Sequence, residues 1–362
     1  MSRVVYLHVG SPKTGTTYLQ DRLALNKASL SHRRVHYPLS LHASQFRPAL
    51  DLLQMPWGGL QLDVDGEWNA LTARVRRLSG TVIISHEILA AAKPAQVRRA
   101  MAGLAGSEVH LVLSARDLAR QIPAEWQEGV KHQRKVSYAG FLRQVQTSRR
   151  DRPSLWFWRV QSLPDVLGRW SRGLPPERVH LVTVPQDGAP RNQLWERYCR
   201  AFGIDPAWAP RESVRDNVSI GAAETFLLRR LNRRLRQAGL SSEEYRRLIR
   251  EVVVHQTMAK RPHMTRVTLP PAAFPWAAEV AEEWVRWVRG SGIDVIGDVE
   301  DLRPVPVPDQ RWVNPDRPRR PEMVDAAVDA LVALALEAAK RPDPNELLTA
   351  KLTRAARRLR LR

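Results

Sequence analysis

Cysteine and long apolar segments are the two features that this sequence most clearly lacks. Its one cysteine, Cys199, cannot form an internal disulfide, and without a second cysteine a structural zinc site is not expected. No uninterrupted run of about 18 apolar residues occurs, so a membrane-spanning helix is not expected either. The segment after Met1 lacks the pattern of a signal peptide. These absences predict a cytoplasmic protein, either free in solution or peripheral to a membrane.

Acidic residues are also scarce relative to basic ones. The 37 Asp and Glu residues face 57 Lys and Arg, which gives a formal net charge of +20. Such a field concentrates anions near the surface, so the partner is expected to be acidic. Nucleotide phosphates, acidic glycans, anionic lipid and nucleic acid all meet that condition. With 362 residues, 43% of them hydrophobic, the chain is long and apolar enough to bury a large core.

Short apolar runs alternate with helical patterns through the first half of the chain. The runs at residues 4–9, 81–85, 109–114 and 179–184 are typical of buried parallel strands. Helical spacing recurs between and after them, at residues 17–26, 94–104 and 193–202. This alternation predicts an α/β fold, with a P-loop-like parallel sheet flanked by helices. Ligands of such sheets bind beyond the carboxyl ends of the strands, so the residues just after these ends are the first candidates for a site.

The C-terminal part of the chain is predicted to be helical and basic. Residues 222–237 carry leucines on one side, and the arginine row on the other sides is interpreted as a solvated face. Prolines prevent a helix in residues 304–321. The predicted organisation is a domain of residues 1–303, a Pro-rich linker of residues 304–321 and a helical basic tail of residues 322–362. The last helix of that tail could contact an anionic membrane, dock on the domain or simply be solvated.

The strongest motif is HVGSPKTGTTY, from His8 to Tyr18, where a predicted strand gives way to a glycine-bearing turn and then a helix. Gly10 and Gly15 permit backbone angles that side chains disfavour, and the free N–H groups of a helix N-terminus point towards a bound anion. Lys13 adds a mobile positive charge. Thr16 and Thr17 can cap the helix and donate hydroxyl groups to the same anion. The motif predicts a phosphate-binding loop.

A P-loop nucleoside triphosphatase or phosphotransferase is the competing interpretation of this loop. Its pattern is G-x-x-x-x-G-K followed by Ser or Thr, and the spacing of Gly10 and Gly15 fits it. The lysine does not fit, because Thr16 directly follows the second glycine and Lys13 comes earlier, inside the loop. An ATP- or GTP-dependent phosphotransferase is therefore kept as the alternative function.

The segment from Pro12 to Tyr18 resembles the 5′-phosphosulfate loop of the sulfotransferases that use 3′-phosphoadenosine 5′-phosphosulfate (PAPS). That loop reads Pro-Lys-Ser/Thr-Gly-Thr-Thr followed by an aromatic residue. The resemblance is strongest over residues 1–125, and it implies the sulfotransferase fold, a PAPS donor and sulfuryl transfer to a hydroxyl or amine. It also implies that Lys13 contacts the oxygen that bridges phosphorus and sulfur. The 5′-phosphate would be held by Thr14, Gly15, Thr16 and Thr17, with Tyr18 in place of the tryptophan that stacks on adenine.

A second phosphate site is implied by the same resemblance. The family holds the 3′-phosphate with an arginine just after a later strand and a serine about eight residues beyond it. Arg116 matches the arginine, whereas Ala124 stands at the serine position. Arg116 can make a bidentate phosphate contact by itself, with Arg120, Gln121 or an arginine from the C-terminal half completing the site. An ion pair between Arg116 and Asp117 or another carboxylate is the structural alternative.

The base that removes the acceptor proton is expected where the second predicted strand ends, at His86 and Glu87. His86 aligns with the histidine of cytosolic sulfotransferases, while glycan-directed members of the family use a glutamate. Glu87 is the hypothesis for the base, with His86 orienting it or contacting the acceptor, and His86 as base remains open. Capping of the following turn by Glu87 is the structural alternative. Lysine and arginine supply the positive charge, so no metal is expected.

The acceptor is not identified by the sequence. Tryptophans could line a sugar or lipid pocket, but their spacing favours core positions for most of them. The acceptor is predicted to be a small molecule, a glycan or a lipid. A basic nucleic-acid-binding protein is a second alternative, but no recognised nucleic-acid module is present, and no specific nucleic acid is expected. A member of the fold that binds the nucleotide without transferring is a third.

Overall fold

Six parallel strands form one sheet at the centre of the fold. The computed structural model describes residues 3–38, 44–57, 60–151, 153–213, 219–306, 312–341 and 357. Within these residues the strand order is β2-β3-β1-β4-β5-β6, and every neighbouring pair is parallel. The predicted α/β fold with a parallel sheet flanked by helices is confirmed. The strand bounds are β1 Arg3–His8, β2 Val35–His36, β3 Gly80–Ser85, β4 Glu108–Ala115, β5 Val179–Thr183 and β6 Asp294–Ile296.

Helices follow nearly every strand. A 3-10 turn, Glu87–Ala91, directly follows β3, and a π-helix, Tyr245–Thr257, continues α12. The α-helices of the described residues are α1 Thr16–Leu25, α2 Lys27–His32, α3 Phe46–Leu53, α4 Glu67–Arg76, α5 Pro94–Gly103, α6 Leu118–Lys131, α7 Tyr138–Thr147, α8 Trp156–Gln161, α9 Leu163–Trp170, α10 Gln193–Phe202, α11 Ala222–Gln237, α12 Ser242–Glu244, α13 Phe274–Ser291 and α14 Arg320–Ala339.

The sheet is buried on both faces, as its continuous apolar strands require. One face packs against α1 and α10, where Leu19, Leu23, Trp195 and Phe202 join Ile83 in a single buried cluster. Four tryptophans are nearly inaccessible to solvent, which confirms the prediction of core positions for them: Trp158, Trp170, Trp195 and Trp284. This core fixes β1 and α1 relative to each other, and so fixes the loop between them.

The chain changes direction beside β1. From β1 it builds β2 and β3 on one side, then crosses to build β4, β5 and β6 on the other. The point where an open parallel sheet reverses its strand order leaves a crevice at the carboxyl ends of the strands, and ligands of this class of fold bind there. The loop after β1 and the residues after β4 both lie at this point.

The described chain divides into two compact units. The sheet belongs to the first, which comprises residues 1–129, 136–217 and 267–312. The second comprises residues 130–135, 218–266 and 313–362. The predicted domain of residues 1–303, linker and tail remain a prediction. In the described parts of the predicted linker, residues 304–306 and 312–319 form no regular helix or strand, but Arg320 and Pro321 are the first two residues of α14, so the expected absence of a helix is wrong at this end. Proline is tolerated there because the first turn of a helix does not need its N–H group.

The second unit is helical. Its helix α14 packs against α11 and the π-helix. The arginine row of α11 is exposed as expected at Arg230 and Arg233, but Arg229 is an exception, because it is buried and lies 2.7 Å from Asp316. The predicted helix of residues 345–362 lies outside the described residues, apart from Arg357. No helix of the described residues is long and apolar enough to cross a bilayer.

Candidate functional site

The turn of the predicted phosphate loop depends on two glycines with left-handed backbone angles. Gly10 follows β1 with φ of 115°, and Gly15 precedes α1 with φ of 86°. A Cβ on Gly10 would lie only 2.9 Å from the carbonyl oxygen of Glu87, so a side chain there would clash with the backbone after β3. The predicted need for glycine at both positions is therefore explained by backbone angle and by close approach.

The N-terminus of α1 has the properties of an anion site. Gly15 is its N-cap residue and provides no side-chain hydrogen bond to the first-turn N–H groups. The first turn contains no acidic residue. Thr16 is buried and Thr17 is half-buried at this end of the helix. Unpaired N–H groups and the helix dipole favour negative charge at such a position, so the local chemistry fits a phosphate group.

Glutamine side chains hold the carbonyl group of Pro12. Gln121 of α6 donates to the Pro12 oxygen at 2.6 Å, and Gln161 of α8 donates to the same oxygen at 3.1 Å. Pro12 itself is buried. Two donors from different helices fix the direction of this peptide group, and with it the position at which Lys13 leaves the loop.

A buried polar network lies under the loop, and sequence reasoning did not identify it. His8, at the end of β1, contacts the hydroxyl groups of Ser85 at 2.7 Å and Ser114 at 2.9 Å through its two ring nitrogens. Thr14 contacts Ser114 at 2.9 Å and donates to the Ser11 carbonyl at 2.6 Å, so its hydroxyl is engaged inside the protein. Polar residues in otherwise apolar strands are the signal that could have indicated this network.

Tyr198 of α10 completes the network from the helix side. Its hydroxyl group lies 3.0 Å from the hydroxyl of Ser114 and 3.1 Å from the carbonyl oxygen of Thr14. The side chains of Ser114, Thr14 and Tyr198 are inaccessible to solvent. Buried hydrogen-bonded groups of this kind specify a single arrangement, because leaving any one unpaired is costly. The network therefore ties the loop to β1, β3, β4 and α10.

We expect the neutral form of His8 to make stability depend on pH. Burial lowers the pKa of His8 to about 4, from an ordinary value of 6.5. As the pH falls, His8 is therefore protonated in the unfolded chain before it is protonated in the folded protein. The stabilisation of the folded protein by neutral His8 is complete above pH 6.5 and is lost as the pH falls towards 4. The contribution is roughly 3 kcal/mol. Urea unfolding between pH 7 and pH 4 should show a steeper loss for the wild type than for His8→Asn, and equal slopes would contradict this role.

Lys13 leaves the loop towards α6. Its φ of 64° is unusual for a residue with a side chain. Its side chain is 28% exposed, and its ammonium group lies 3.1 Å from the carboxylate of Glu128. Arg116, which follows β4, places a guanidinium nitrogen 3.5 Å from the carbonyl oxygen of Lys13. The structure thus brings together Lys13 and Arg116, the two cations that the sequence predicted for the site.

The residues proposed to complete the second phosphate site have partners within the protein. Arg120 pairs with Asp117 and lies 3.1 Å from Asp187, while Gln121 binds Pro12. Ala124 lies on α6, half-buried. The carboxylate of Asp117 pairs with Arg120 and not with Arg116, so the structure does not show the alternative ion pair between Arg116 and Asp117. The role of Arg116 towards a 3′-phosphate stays a prediction.

His86 and Glu87 lie next to each other beyond β3. The strand ends at Ser85 and the 3-10 turn begins at Glu87, so the alternation that would separate the two side chains does not apply. The His86 ring lies 3.8 Å from the Glu87 carboxylate, and Gln20 of α1 donates to Glu87 at 2.9 Å. His86 accepts a hydrogen bond from the amide of Ile88 and so caps the turn. The residue that caps the turn is therefore His86 and not Glu87, as the structural alternative had it. The carboxylate of Glu87 accepts its hydrogen bond from Gln20 instead.

The electrostatics of this pair favour an ionised glutamate. Burial would raise the pKa of Glu87, but His86 and hydrogen bonds from its own amide and from Gln20 outweigh it, so that pKa is lowered below 4.5. Burial lowers the pKa of His86 below 6.5, against the attraction of Glu87. At neutral pH Glu87 is therefore a carboxylate and His86 is neutral, and either can accept a proton.

Tyr18, the third residue of α1, is half-buried in the first turn of the helix. Arg22 donates to its hydroxyl group at 2.8 Å, and the same guanidinium lies over the ring of Trp195 at 4.4 Å. The hydroxyl is thus fixed by the protein, and stacking of Tyr18 on a base stays a prediction. No metal site made of three or more histidine, cysteine, aspartate or glutamate residues occurs among the described residues.

Comparison with known proteins gave no match. No family model matches the chain, and no curated protein or solved structure is significantly similar to it. The chemistry assigned to the site therefore rests on the loop after β1, the cations beside it, and the His86 and Glu87 pair beyond β3.

Proposed function

We propose that this protein is a sulfotransferase that transfers a sulfuryl group from PAPS to a hydroxyl or amine acceptor. One observation carries the proposal. The Pro-Lys-Thr-Gly-Thr-Thr segment forms the loop between β1 and the N-terminus of α1, at the strand-order reversal of a parallel sheet. A glycine-bearing loop at that position, with a lysine inside the loop, suits a phosphate group of an anionic nucleotide.

In this proposal each residue of the loop has a defined task. The first-turn N–H groups of α1, with Gly15, Thr16 and Thr17, bind the 5′-phosphate. Lys13 supplies positive charge at the mouth of the loop, and Arg116 supplies it beyond β4 for the 3′-phosphate. Tyr18 faces the base. The buried network around His8 takes no part in the chemistry and keeps the loop in one conformation.

PAPS, when bound, supplies an activated sulfuryl group. Transfer breaks the bond between sulfur and the phosphate oxygen and forms a bond between sulfur and the acceptor atom. Such transfers pass through a loose transition state, where positioning and charge stabilisation dominate. Lys13 stabilises the charge that remains on the departing phosphate. Glu87 receives the proton that the acceptor loses, so charge and protons balance.

His86 and Gln20 keep Glu87 in place for that task. Gln20 donates to one carboxylate oxygen, and His86 is held by the amide of Ile88 beside it. The hydrogen bond from Gln20 favours the ionised carboxylate that a base requires. Glu87 and the loop are close through the backbone, since Gly10 packs against the Glu87 carbonyl group. The acceptor class, whether glycan, lipid or small molecule, stays open.

We expect PAP, the desulfated product of the donor, to stabilise the protein without magnesium. A ligand that binds only the native state adds RT ln(1 + [L]/Kd), which is about 2.7 kcal/mol at one hundred times Kd. The melting temperature should therefore rise by several degrees with PAP, and ATP with magnesium should change it little. Equal stabilisation by ATP with magnesium would favour the phosphotransferase alternative.

A further inference from the structure

Helix α6 presents polar side chains to the phosphate loop at helical spacing. Gln121, Glu125 and Glu128 are four and then three residues apart, so they share one face of the helix. Gln121 binds the Pro12 carbonyl, and Glu125 lies 3.4 Å from Gln161, which binds the same carbonyl. Glu128 binds the ammonium group of Lys13 at 3.1 Å. This face of α6 therefore holds the loop backbone at Pro12 and also pairs with the positive charge of Lys13.

The carboxylate of Glu128 is an unexpected neighbour for a loop that binds anions. Its exposed fraction is 26%, close to the 28% of Lys13, so the pair is only partly screened by water. An anion that needs Lys13 must compete with Glu128 for it, and it also experiences repulsion from that carboxylate. Repulsion grows with the negative charge of the ligand. Glu128 therefore weakens the binding of every anion here, and weakens most the binding of the most highly charged ones.

We propose that Glu128 is a specificity-determining residue of the loop. In the empty site it neutralises Lys13, and on binding it gives Lys13 up to a ligand of moderate charge, such as a phosphosulfate or a single phosphate. The more strongly charged triphosphate tail of a nucleotide is disfavoured, because it approaches the remaining carboxylate. The proposal rests on the proposed function for the identity of the favoured ligand. Its electrostatic part depends on the contact between Lys13 and Glu128 and on the charge of the Glu128 carboxylate, whichever anion is bound.

The direct test is Glu128→Gln, which keeps the shape of the side chain and removes its charge. We expect PAP to bind this variant roughly two- to fivefold more tightly, the scale of a partly exposed ion pair. ATP without magnesium should gain at least twice that factor. The matched control is Glu67→Gln, because Glu67 pairs with Arg47 at 3.0 Å with 23% and 18% exposure, away from the loop. A constant ratio of ATP to PAP affinity, or equal gains in the control, would overturn the proposal.

A double-mutant cycle separates the electrostatic role from a structural one. In the background of Lys13→Ala, the change Glu128→Gln should raise PAP affinity by a smaller factor than it does in the wild type, because the competition for Lys13 is gone and only the repulsion between the Glu128 carboxylate and the anion is removed. Inorganic sulfate is the second probe, and its stabilisation of the protein is followed by melting temperature. If PAP binds neither wild type nor Glu128→Gln, the donor assignment fails. Sulfate then still decides the role of Glu128, which is refuted if sulfate stabilises the variant no more than the wild type.

Discussion

Replacing Lys13 with alanine should reduce sulfuryl transfer by roughly 10³-fold, the scale at which a single charge-stabilising group acts in a transition state. Lys13 is the cation that the loop itself carries, and the left-handed backbone at this residue directs its side chain out of the loop. Its ion pair with Glu128 is partly exposed and worth about 1 kcal/mol or less, so the variant should fold with nearly the wild-type melting temperature. Turnover of PAPS with a mixed acceptor library measures the loss.

A lysine outside the site provides the control for this variant. Lys27 is exposed at the start of α2, and Lys27→Ala should leave turnover unchanged. Lys13→Arg keeps the charge on a longer and planar group, so part of the activity should return. The role given to Lys13 is wrong if Lys13→Ala is folded and retains more than about a tenth of the wild-type turnover.

Glu87→Gln is expected to reduce turnover by at least about 10²-fold while PAP affinity stays at the wild-type level. The amide has the shape of the carboxylate but cannot accept the proton that the acceptor loses. Its contact with Gln20 can be kept if one amide is reoriented. PAP binding, measured by titration, checks that the loop beside Glu87 is undisturbed. A kcat that falls without a change in PAP affinity identifies the loss as chemical.

His86→Asn is the variant that decides between the two candidate bases. With Glu87 as base, His86→Asn should reduce turnover less than Glu87→Gln does, because His86 only holds and polarises its neighbour. The pH profile gives a second criterion, since a base is inactivated as the pH falls through its pKa. The pKa of Glu87 is lowered below 4.5, so an acid limb between pH 4.5 and 6.5 would assign the base to His86 and not to Glu87. Near-normal turnover in Glu87→Gln with a collapse in His86→Asn would transfer the role to the histidine.

Strands whose own sequence is apolar could be predicted, and strands that depend on their neighbours could not. The runs that became β1, β3, β4 and β5 are long enough to have a pattern, and α10 and α11 appear at the residues that their spacing indicated. The strands β2 and β6 span only two and three residues at the two edges of the sheet. Their strand conformation comes from pairing with β3 and β5, which no local pattern records.

The candidate site divides in the same way. The loop could be predicted because its glycines, lysine and threonines are consecutive in the chain. The partners of the loop could not, because Glu128 is 115 residues away from Lys13 and Ser114 is 106 residues away from His8. Such contacts follow from strand register and from the direction in which α6 runs. Whether the side chains of His86 and Glu87 lie on the same side depends on where β3 ends. The sequence does not define that boundary to one residue.

The measurement that tests the central claim most directly is transfer of radioactive sulfate from ³⁵S-labelled PAPS to a mixed library of glycans, lipids and small hydroxyl and amine compounds, without added magnesium. The proposed function predicts labelled acceptor in the presence of the wild-type protein, an equal amount of PAP released, and formation of both products slowed roughly 10³-fold with Lys13→Ala. The claim is contradicted if titration shows no binding of PAPS or PAP to the wild type and no acceptor is labelled, while ATP with magnesium binds.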